Sequence, residues 1–165
     1  MHRQEQKTDM YYIISFLYKD SEHYCIWVSD EKDYVLFDEN KLVKFKSKQL
    51  LFEYASENNI VFEDETETKY DVDKMQLWCN DAEDNYVDCD EVLNFWNIST
   101  DFAAGNELCF AGNENSCDGI YEKIFFGNNI LEDSDKKYYP EFMDDEVKMI
   151  KQIIREGINN ITDKL

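Results

Sequence analysis

The chain has 165 residues, and its 11 Tyr, 11 Phe and 3 Trp are too many aromatic residues for an intrinsically disordered protein. Its 37 acidic residues outnumber 17 basic ones and give a formal net charge of -20, which disfavours direct binding to nucleic acids or anionic membranes and favours cationic partners. At this length we expect a single domain spanning residues 1–165.

Two features of the sequence predict the cellular compartment. The first ten residues, MHRQEQKTDM, contain no apolar stretch of the kind a signal peptide needs, and no apolar run approaches the length of a membrane span. The five cysteines are an odd number without a C-x-x-C pair, which is not the pattern of a disulfide framework. We therefore predict a cytoplasmic protein, neither secreted nor embedded in a membrane, with flexible residues 1–9.

The N-terminal part of the chain has the pattern of an antiparallel sheet. Three β-rich runs follow one another between polar turns: YYIISFLY, HYCIWVS, and YVLF together with LVKF. Ser47 is placed to cap a helix over residues 48–57. The predicted apolar face of this helix consists of Leu50, Leu51, Tyr54 and Ala55. The following run, IVFEDETETKY, predicts a short strand with an acidic exposed side.

Two more helices are predicted from their capping residues. Asp71 is placed to cap a short helix that ends at Cys79. Its inward side would be formed by Val72, Met75 and Trp78. Asp88, followed three residues later by Glu91, makes a variant of the capping box and predicts a helix over residues 89–104. Apolar residues surround most of this second helix, which places it in the centre of the domain.

The C-terminal part of the chain combines a loop with the clearest helix of the sequence. Residues 105–119 are rich in Gly and Asn and predict a loop. The last helix is predicted from apolar residues at three- and four-residue steps: Met143, Val147, Ile150, Ile154, Ile158 and Ile161. Together the elements predict an α+β fold, with an N-terminal antiparallel β-meander packed with several helices, including a buried central helix and a long C-terminal helix.

Catalytic motifs are not found in the sequence. The two histidines are His2, near the N-terminus, and His23, which is predicted at a hairpin turn, so a Ser/His/Asp or multi-histidine site is hard to assemble. The glycines follow neither G-x-G-x-x-G nor G-x-x-x-x-G-K-[ST] spacing, so no nucleotide cofactor is indicated. We predict a protein without catalytic residues or cofactors, and thus not an enzyme.

A calcium-binding loop is suggested by three residues and contradicted by two. Asp81, Glu83 and Asn85 occupy positions one, three and five of an EF-hand pattern. Tyr86 then stands where the sharp turn needs Gly, and Val92 stands where the twelfth position needs a bidentate Glu. We therefore predict a solvated acidic loop and no metal site.

The acidic residues are concentrated in one part of the chain. Between Glu53 and Glu91, fourteen acids and two lysines give a net charge of -12, and residues 132–146 form a second concentration. A strong negative field speeds the capture of a basic protein, and nucleases have basic surfaces that hold phosphate. Tyr86 is placed to add an aromatic anchor. The carboxylates predicted to contact such a partner are Glu63, Asp64, Glu65, Glu67, Asp81, Glu83 and Asp84.

The order of these segments resembles a known family. The meander, FKSKQLLFEYASENNI, YDVDKMQLW and DCDEVLNFWNISTDFA follow one another between Tyr11 and Ala104. This order resembles the cytoplasmic immunity proteins of bacterial contact-dependent growth inhibition and related polymorphic toxin systems. The resemblance implies a protein that binds the toxin domain of a delivered effector, commonly a nuclease, and protects the producing cell. It also implies that LNFWN belongs to the core.

Two other functions remain open from the sequence. A DNA-mimicking inhibitor would need carboxylates at phosphate-like intervals along an extended surface. A carboxylate-dependent hydrolase, with or without the help of a metal ion, would need a pocket with two or three convergent buried acids. The sequence determines neither the oligomeric state nor which acidic surface contacts a partner.

Overall fold

The computed structural model of the protein describes residues 8–131 and 136–165. Its strands are β1 (Met10–Tyr18), β2 (Ser21–Ser29), β3 (Tyr34–Val35), β4 (Phe37–Asp38), β5 (Lys41–Leu42), β6 (Lys44–Phe45) and β7 (Phe62–Asp71). Its helices are α1 (Lys48–Glu57), α2 (Val72–Asn80), α3 (Cys89–Gly105), α4 (Asp118–Gly127) and α5 (Asp144–Thr162). The α+β class is confirmed. Most of the predicted flexible segment, residues 1–9, and three acids of the second concentration lie outside the described residues.

The first two strands form a hairpin that is paired over its full length. Both residues of its turn, Lys19 and Asp20, have positive φ angles, as the two-residue turns that match strand twist require. The backbone N–H groups of these two residues donate to the carboxylate of Asp73, at 2.9 and 3.1 Å, which ties α2 to the hairpin. His23 was predicted at the turn but lies within β2, opposite Phe16.

The third strand of the predicted meander is divided into four short pieces. β3 and β6 both pair with β2, while β4 and β5 pair with each other across a turn at Glu39 and Asn40. Both turn residues again have positive φ angles. The segment over residues 34–45 is therefore a folded-back hairpin, and its turn lies in the polar segment DENK that the sequence predicted between YVLF and LVKF.

The strand after α1 lies at the opposite edge of the sheet. β7 has ten residues and pairs with β1 in parallel, whereas the sequence predicted only a short added strand. Tyr11 faces Phe62 but Ile13 faces Glu67, so residues 63–66 bulge from the regular pairing. Because a parallel pair needs a long crossover, the whole segment from β2 to α1 serves as the connection between β1 and β7.

Helices cover both faces of the sheet. On one face, Leu51 of α1 packs with Ile13, Ile26 and Val28. Leu50 was predicted on the same apolar face of α1 but is 46% exposed. On the other face, Ile14, Phe16 and Cys25 belong to the main core, together with α2, α3, α4 and α5.

The central helix α3 is buried as predicted. Asp88 caps it by accepting hydrogen bonds from the backbone N–H groups of Asp90 and Glu91. Its buried residues are Val92, Leu93, Phe95, Trp96, Ile98, Ser99, Phe102 and Ala103. Where the helix ends, a Cβ added to Gly105 would lie 2.0 Å from the carbonyl oxygen of Val35, so only glycine allows this contact with β3.

The C-terminal helix α5 packs along α3. Val147, Ile150, Ile154, Ile158 and Ile161 are buried as predicted. Met143, predicted on the same stripe, is the residue before the helix and is 72% exposed. The predicted loop over residues 105–119 is shorter in the structure, because it contains two 3-10 turns and α4 begins at Asp118.

Candidate functional site

The loop between α2 and α3, residues 81–88, has a defined conformation that its own aspartates create. The Asp81 carboxylate accepts a hydrogen bond from the Glu83 backbone N–H, at 3.0 Å. Asp84 does the same for the N–H of Tyr86, at 3.0 Å. Such side-chain bonds to the backbone two residues on are the reason that Asp favours turns. Two of the acids predicted to contact a partner therefore also shape the loop.

A lysine from α5 fills the inside of this loop. Lys151 is only 7% exposed, and its ammonium donates to the backbone carbonyls of Asp81 at 2.7 Å and Asp84 at 2.6 Å. The ammonium also lies 5.0 Å from the centre of the Trp78 ring, within the range of a cation–π contact. The loop that partly matched a calcium-binding pattern thus holds a cation supplied by the protein itself.

Two further hydrogen bonds fix the ends of the loop. The guanidinium of Arg155 donates to the carbonyl of Cys79 at 2.8 Å, where α2 ends. The indole N–H of Trp78 donates to the carbonyl of Tyr86 at 2.8 Å. The backbone of Tyr86 is held in this way, and its side chain is 74% exposed. A large exposed aromatic side chain on a fixed backbone is a suitable binding anchor.

An open groove of about 350 Å³ lies between α2, the loop and the start of α3. We call it the acidic groove; it is lined by Lys74, Met75, Leu77, Trp78, Asp81, Asp84, Tyr86, Asp88, Glu91 and Val92. Leu77, at one side, is 72% exposed. The groove therefore combines apolar and aromatic surface with four carboxylates, which is a favourable environment for the long, cationic side chains of Lys and Arg.

One ion pair already occupies part of this groove. The ammonium of Lys74 on α2 contacts the carboxylate of Glu91 on α3, and the hydrogen bond between them raises the pKa of Lys74. Both side chains are substantially exposed, so the pair contributes little to stability and can exchange for a cation from outside. Glu91 is thus a carboxylate that accepts an ammonium group in this groove.

The acids predicted on β7 lie on a separate element. Glu63, Asp64 and Glu65 are exposed in the bulge of this edge strand, and Asp64 accepts hydrogen bonds from the N–H and hydroxyl of Thr66. Glu67 is different, because its carboxylate forms an ion pair with Lys48 of α1 at 3.3 Å. The predicted residues therefore divide between the β7 edge and the loop over residues 81–88, and Glu67 is already engaged within the protein.

Seven of the ten residues that line the acidic groove were not predicted as site residues: Lys74, Met75, Leu77, Trp78, Asp88, Glu91 and Val92. Leu77 carried a usable signal, since it is an apolar residue on the side of α2 opposite the buried Val72 and Met75. Trp78 was assigned to the inward side of that helix, where it is half-buried but also lines the groove. Asp88 and Glu91 were counted among the fourteen acids but were assigned to the capping of α3 and not to partner contacts.

The fold and the groove define an α+β protein with an open, acidic and aromatic surface. No protein family, curated protein or solved structure matches the chain. The resemblance to immunity proteins therefore stays a prediction. Within the described residues, no helix has both the length and the apolar character to cross a membrane. In the same part of the chain, no three His, Cys, Asp or Glu side chains are grouped so as to hold a metal ion.

Proposed function

We propose that the protein is a cytoplasmic immunity protein that binds a basic toxin domain, a nuclease, and occludes its active or substrate-binding surface. The observation that carries this proposal is the acidic groove, which is lined by four acidic residues and by the exposed residues Leu77 and Tyr86. Basic surfaces that hold phosphate present Lys and Arg side chains, and these match the carboxylates in charge. In this function the protein acts as a stoichiometric inhibitor and catalyses no reaction.

The arrangement supports both fast and tight association. The segment from Glu53 to Glu91 has a net charge of -12, and its negative field attracts a basic partner from a distance. Once the partner is bound, the exposed aromatic and aliphatic side chains lose contact with water, which is typical of the residues that dominate binding free energy. The acids on the β7 bulge, Glu63, Asp64 and Glu65, extend the attractive field but are not needed inside the groove.

The first test is complex formation with the basic C-terminal domain of an effector encoded next to this protein. Glu83 is an exposed residue of the loop, and its side chain makes no hydrogen bond within the described residues. Glu83→Lys reverses its charge. We expect this change to weaken the complex about tenfold or more, mainly by slowing association. Surface plasmon resonance at two salt concentrations measures both rates, and the wild-type association rate should fall as salt rises.

The matched control is Glu57→Lys, which makes the same change of charge at the exposed end of α1, on the other face of the sheet. It should change the affinity by less than about threefold, through the long-range field alone. Equal losses in the two variants would show that the loop over residues 81–88, which forms one side of the groove, is not part of the contact surface. Failure of the wild-type protein to bind the toxin domain or to restore growth on co-expression would refute the proposed function for that pair.

A further inference from the structure

A second cleft lies beyond the acidic groove, between the sheet and α3. We call it the Asp101 cleft; it has a volume of about 250 Å³ and is lined by Tyr12, Ile14, Trp27, Thr68, Tyr70, Asn94, Asn97, Ile98 and Asp101. Small-molecule sites are usually larger, about 300–1,000 Å³. The size of this cleft therefore suits one group about as large as an amino-acid side chain.

Asp101 is the one carboxyl group among the residues that line this cleft. The indole N–H of Trp27 donates to its Oδ2 atom at 2.8 Å, and within the described residues no hydrogen bond reaches Oδ1. Burial raises the pKa of Asp101, the charge of Asp33 adds to this effect, and the bond from Trp27 opposes it. A bound cation with N–H donors would reach the free oxygen and compensate the charge that burial disfavours.

The walls of the cleft are aromatic and amide groups. The rings of Tyr12 and Trp27 are 5.2 Å apart, and Tyr70 lies on the β7 side, where burial raises its pKa to about 12. Asn97 accepts a hydrogen bond from the hydroxyl of Tyr121 at 2.7 Å, which fixes its side chain. A planar guanidinium group stacks on aromatic rings while it donates to a carboxylate, whereas a compact ammonium is more strongly hydrated.

The cleft and the acidic groove are neighbours on the surface. A smaller depression of about 150 Å³ lies between them; it shares Lys74, Met75 and Glu91 with the groove, and Thr68, Tyr70 and Asn94 with the cleft. Glu91 and Asp101 are ten positions apart on α3, which is about 15 Å along the helix axis at 1.5 Å per residue. An extended peptide covers this distance with about five residues.

We propose that the Asp101 cleft binds a guanidinium group, and that the cleft and the acidic groove together hold one extended segment of the partner with an arginine at each end. The carboxylate of Asp101 accepts the guanidinium N–H groups, and one face of the guanidinium packs on the aromatic surface that Tyr12 and Trp27 form together. The identity of the segment rests on the proposed function. The binding of a guanidinium group in the cleft does not rest on that function, because a small guanidinium compound is sufficient to test it.

The three tryptophans report on three places in the molecule. Trp27 lies in the cleft, Trp78 lines the acidic groove and Trp96 is in the core, where it is 1% exposed. We would follow their indole N–H resonances by ¹H–¹⁵N NMR during titration with N-acetyl-argininamide. Saturable shifts are expected for Trp27 and Trp78 but not for Trp96. N-acetyl-citrullinamide, a neutral compound of nearly the same shape, should produce no saturable shift.

Asp101→Asn identifies the group responsible, because its amide oxygen can still accept the Trp27 N–H. We expect this variant to weaken the binding measured at Trp27 about tenfold or more, without changing the binding measured at Trp78. Asp38→Asn, at an exposed position of β4, makes the same change of net charge and should leave both unchanged. Thermal unfolding of both variants checks that they are folded.

A peptide with arginines at both ends of a four-residue Gly-Ser linker tests the joint site. It should saturate Trp27 and Trp78 together at a concentration at least tenfold lower than N-acetyl-argininamide does, because linked groups bind with a high effective concentration. An unresponsive Trp27 resonance, or equal affinity in Asp101→Asn, would overturn the guanidinium site. Separate saturation of the two resonances by the peptide would overturn the joint segment. Neither result depends on whether the toxin domain binds.

Discussion

Replacing the buried Lys151 by methionine is expected to lower the free energy of unfolding by about 2–4 kcal/mol. The ammonium donates to the carbonyls of Asp81 and Asp84, and methionine leaves both acceptors without this donor. Hydrogen bonds to charged groups each contribute about 1.5–3 kcal/mol. Methionine also removes the cost of burying a charge, and this gain offsets part of the loss. Urea unfolding followed by circular dichroism measures the difference.

Lys148→Met on the same helix is the matched control, because Lys148 is exposed and its substitution removes the same charge. We expect it to change stability by less than about 0.5 kcal/mol, as is usual for surface substitutions. Amide hydrogen exchange then locates the effect: in Lys151→Met the amides of Glu83, Asp84 and Tyr86 should exchange faster, since the turns of the loop lose their anchor. Equal stability losses in the two lysine variants would refute an anchoring role.

The anchoring of the loop also matters for binding. A loop that is ordered before it meets its partner loses less conformational entropy on association than one that becomes ordered during binding. Tyr86 is ordered in this way, because Trp78 holds its carbonyl and Lys151 holds the carbonyl of Asp84. The buried lysine thus links the stability of the domain to the geometry of the proposed contact surface.

Local signals in the sequence predicted most helix boundaries. Ser47, Asp71 and Asp88 each accept a backbone N–H at the start of the helix that they were predicted to cap. These interactions connect residues two or three positions apart, so the sequence contains them directly. The parallel pairing of β7 with β1 was not predictable in this way, because it joins segments about fifty residues apart and depends on the packing of the whole sheet.

The candidate site was predictable only in part, for a related reason. Charge density directed attention to the segment that contains Asp81, Asp84 and Tyr86, and the structure places these three residues along one groove. It could not distinguish them from Glu67, which pairs with Lys48, because that pairing depends on how α1 lies against the sheet. The same holds for Lys151, a charged residue that hydropathy places at the surface but that the loop over residues 81–88 encloses.

The contact between α3 and α5 leads to the second prediction of large effect, which concerns Gly157. A Cβ added at Gly157 would lie 2.2 Å from the hydroxyl oxygen and 2.7 Å from the Cβ of Ser99. Because these distances are below any ordinary contact, Gly157→Ala must force the two helices apart. We expect it to destabilise the protein by about 2 kcal/mol or more, even though alanine gains about 1 kcal/mol in helix propensity.

A second substitution should restore this contact. Ser99→Gly removes both clashing atoms, and the next atom near the new Cβ is Cε1 of Phe95 at 3.7 Å, an ordinary contact distance. Alone, Ser99→Gly should destabilise by about 1–2 kcal/mol, through lower helix propensity and the loss of its hydrogen bond to the carbonyl of Phe95. In the double variant Gly157→Ala costs nothing at this contact and gains helix propensity, so that we expect stability within about 1 kcal/mol of the wild type. Urea unfolding of all four proteins measures this coupling, and strictly additive losses would show that α3 and α5 are not in close contact at this position.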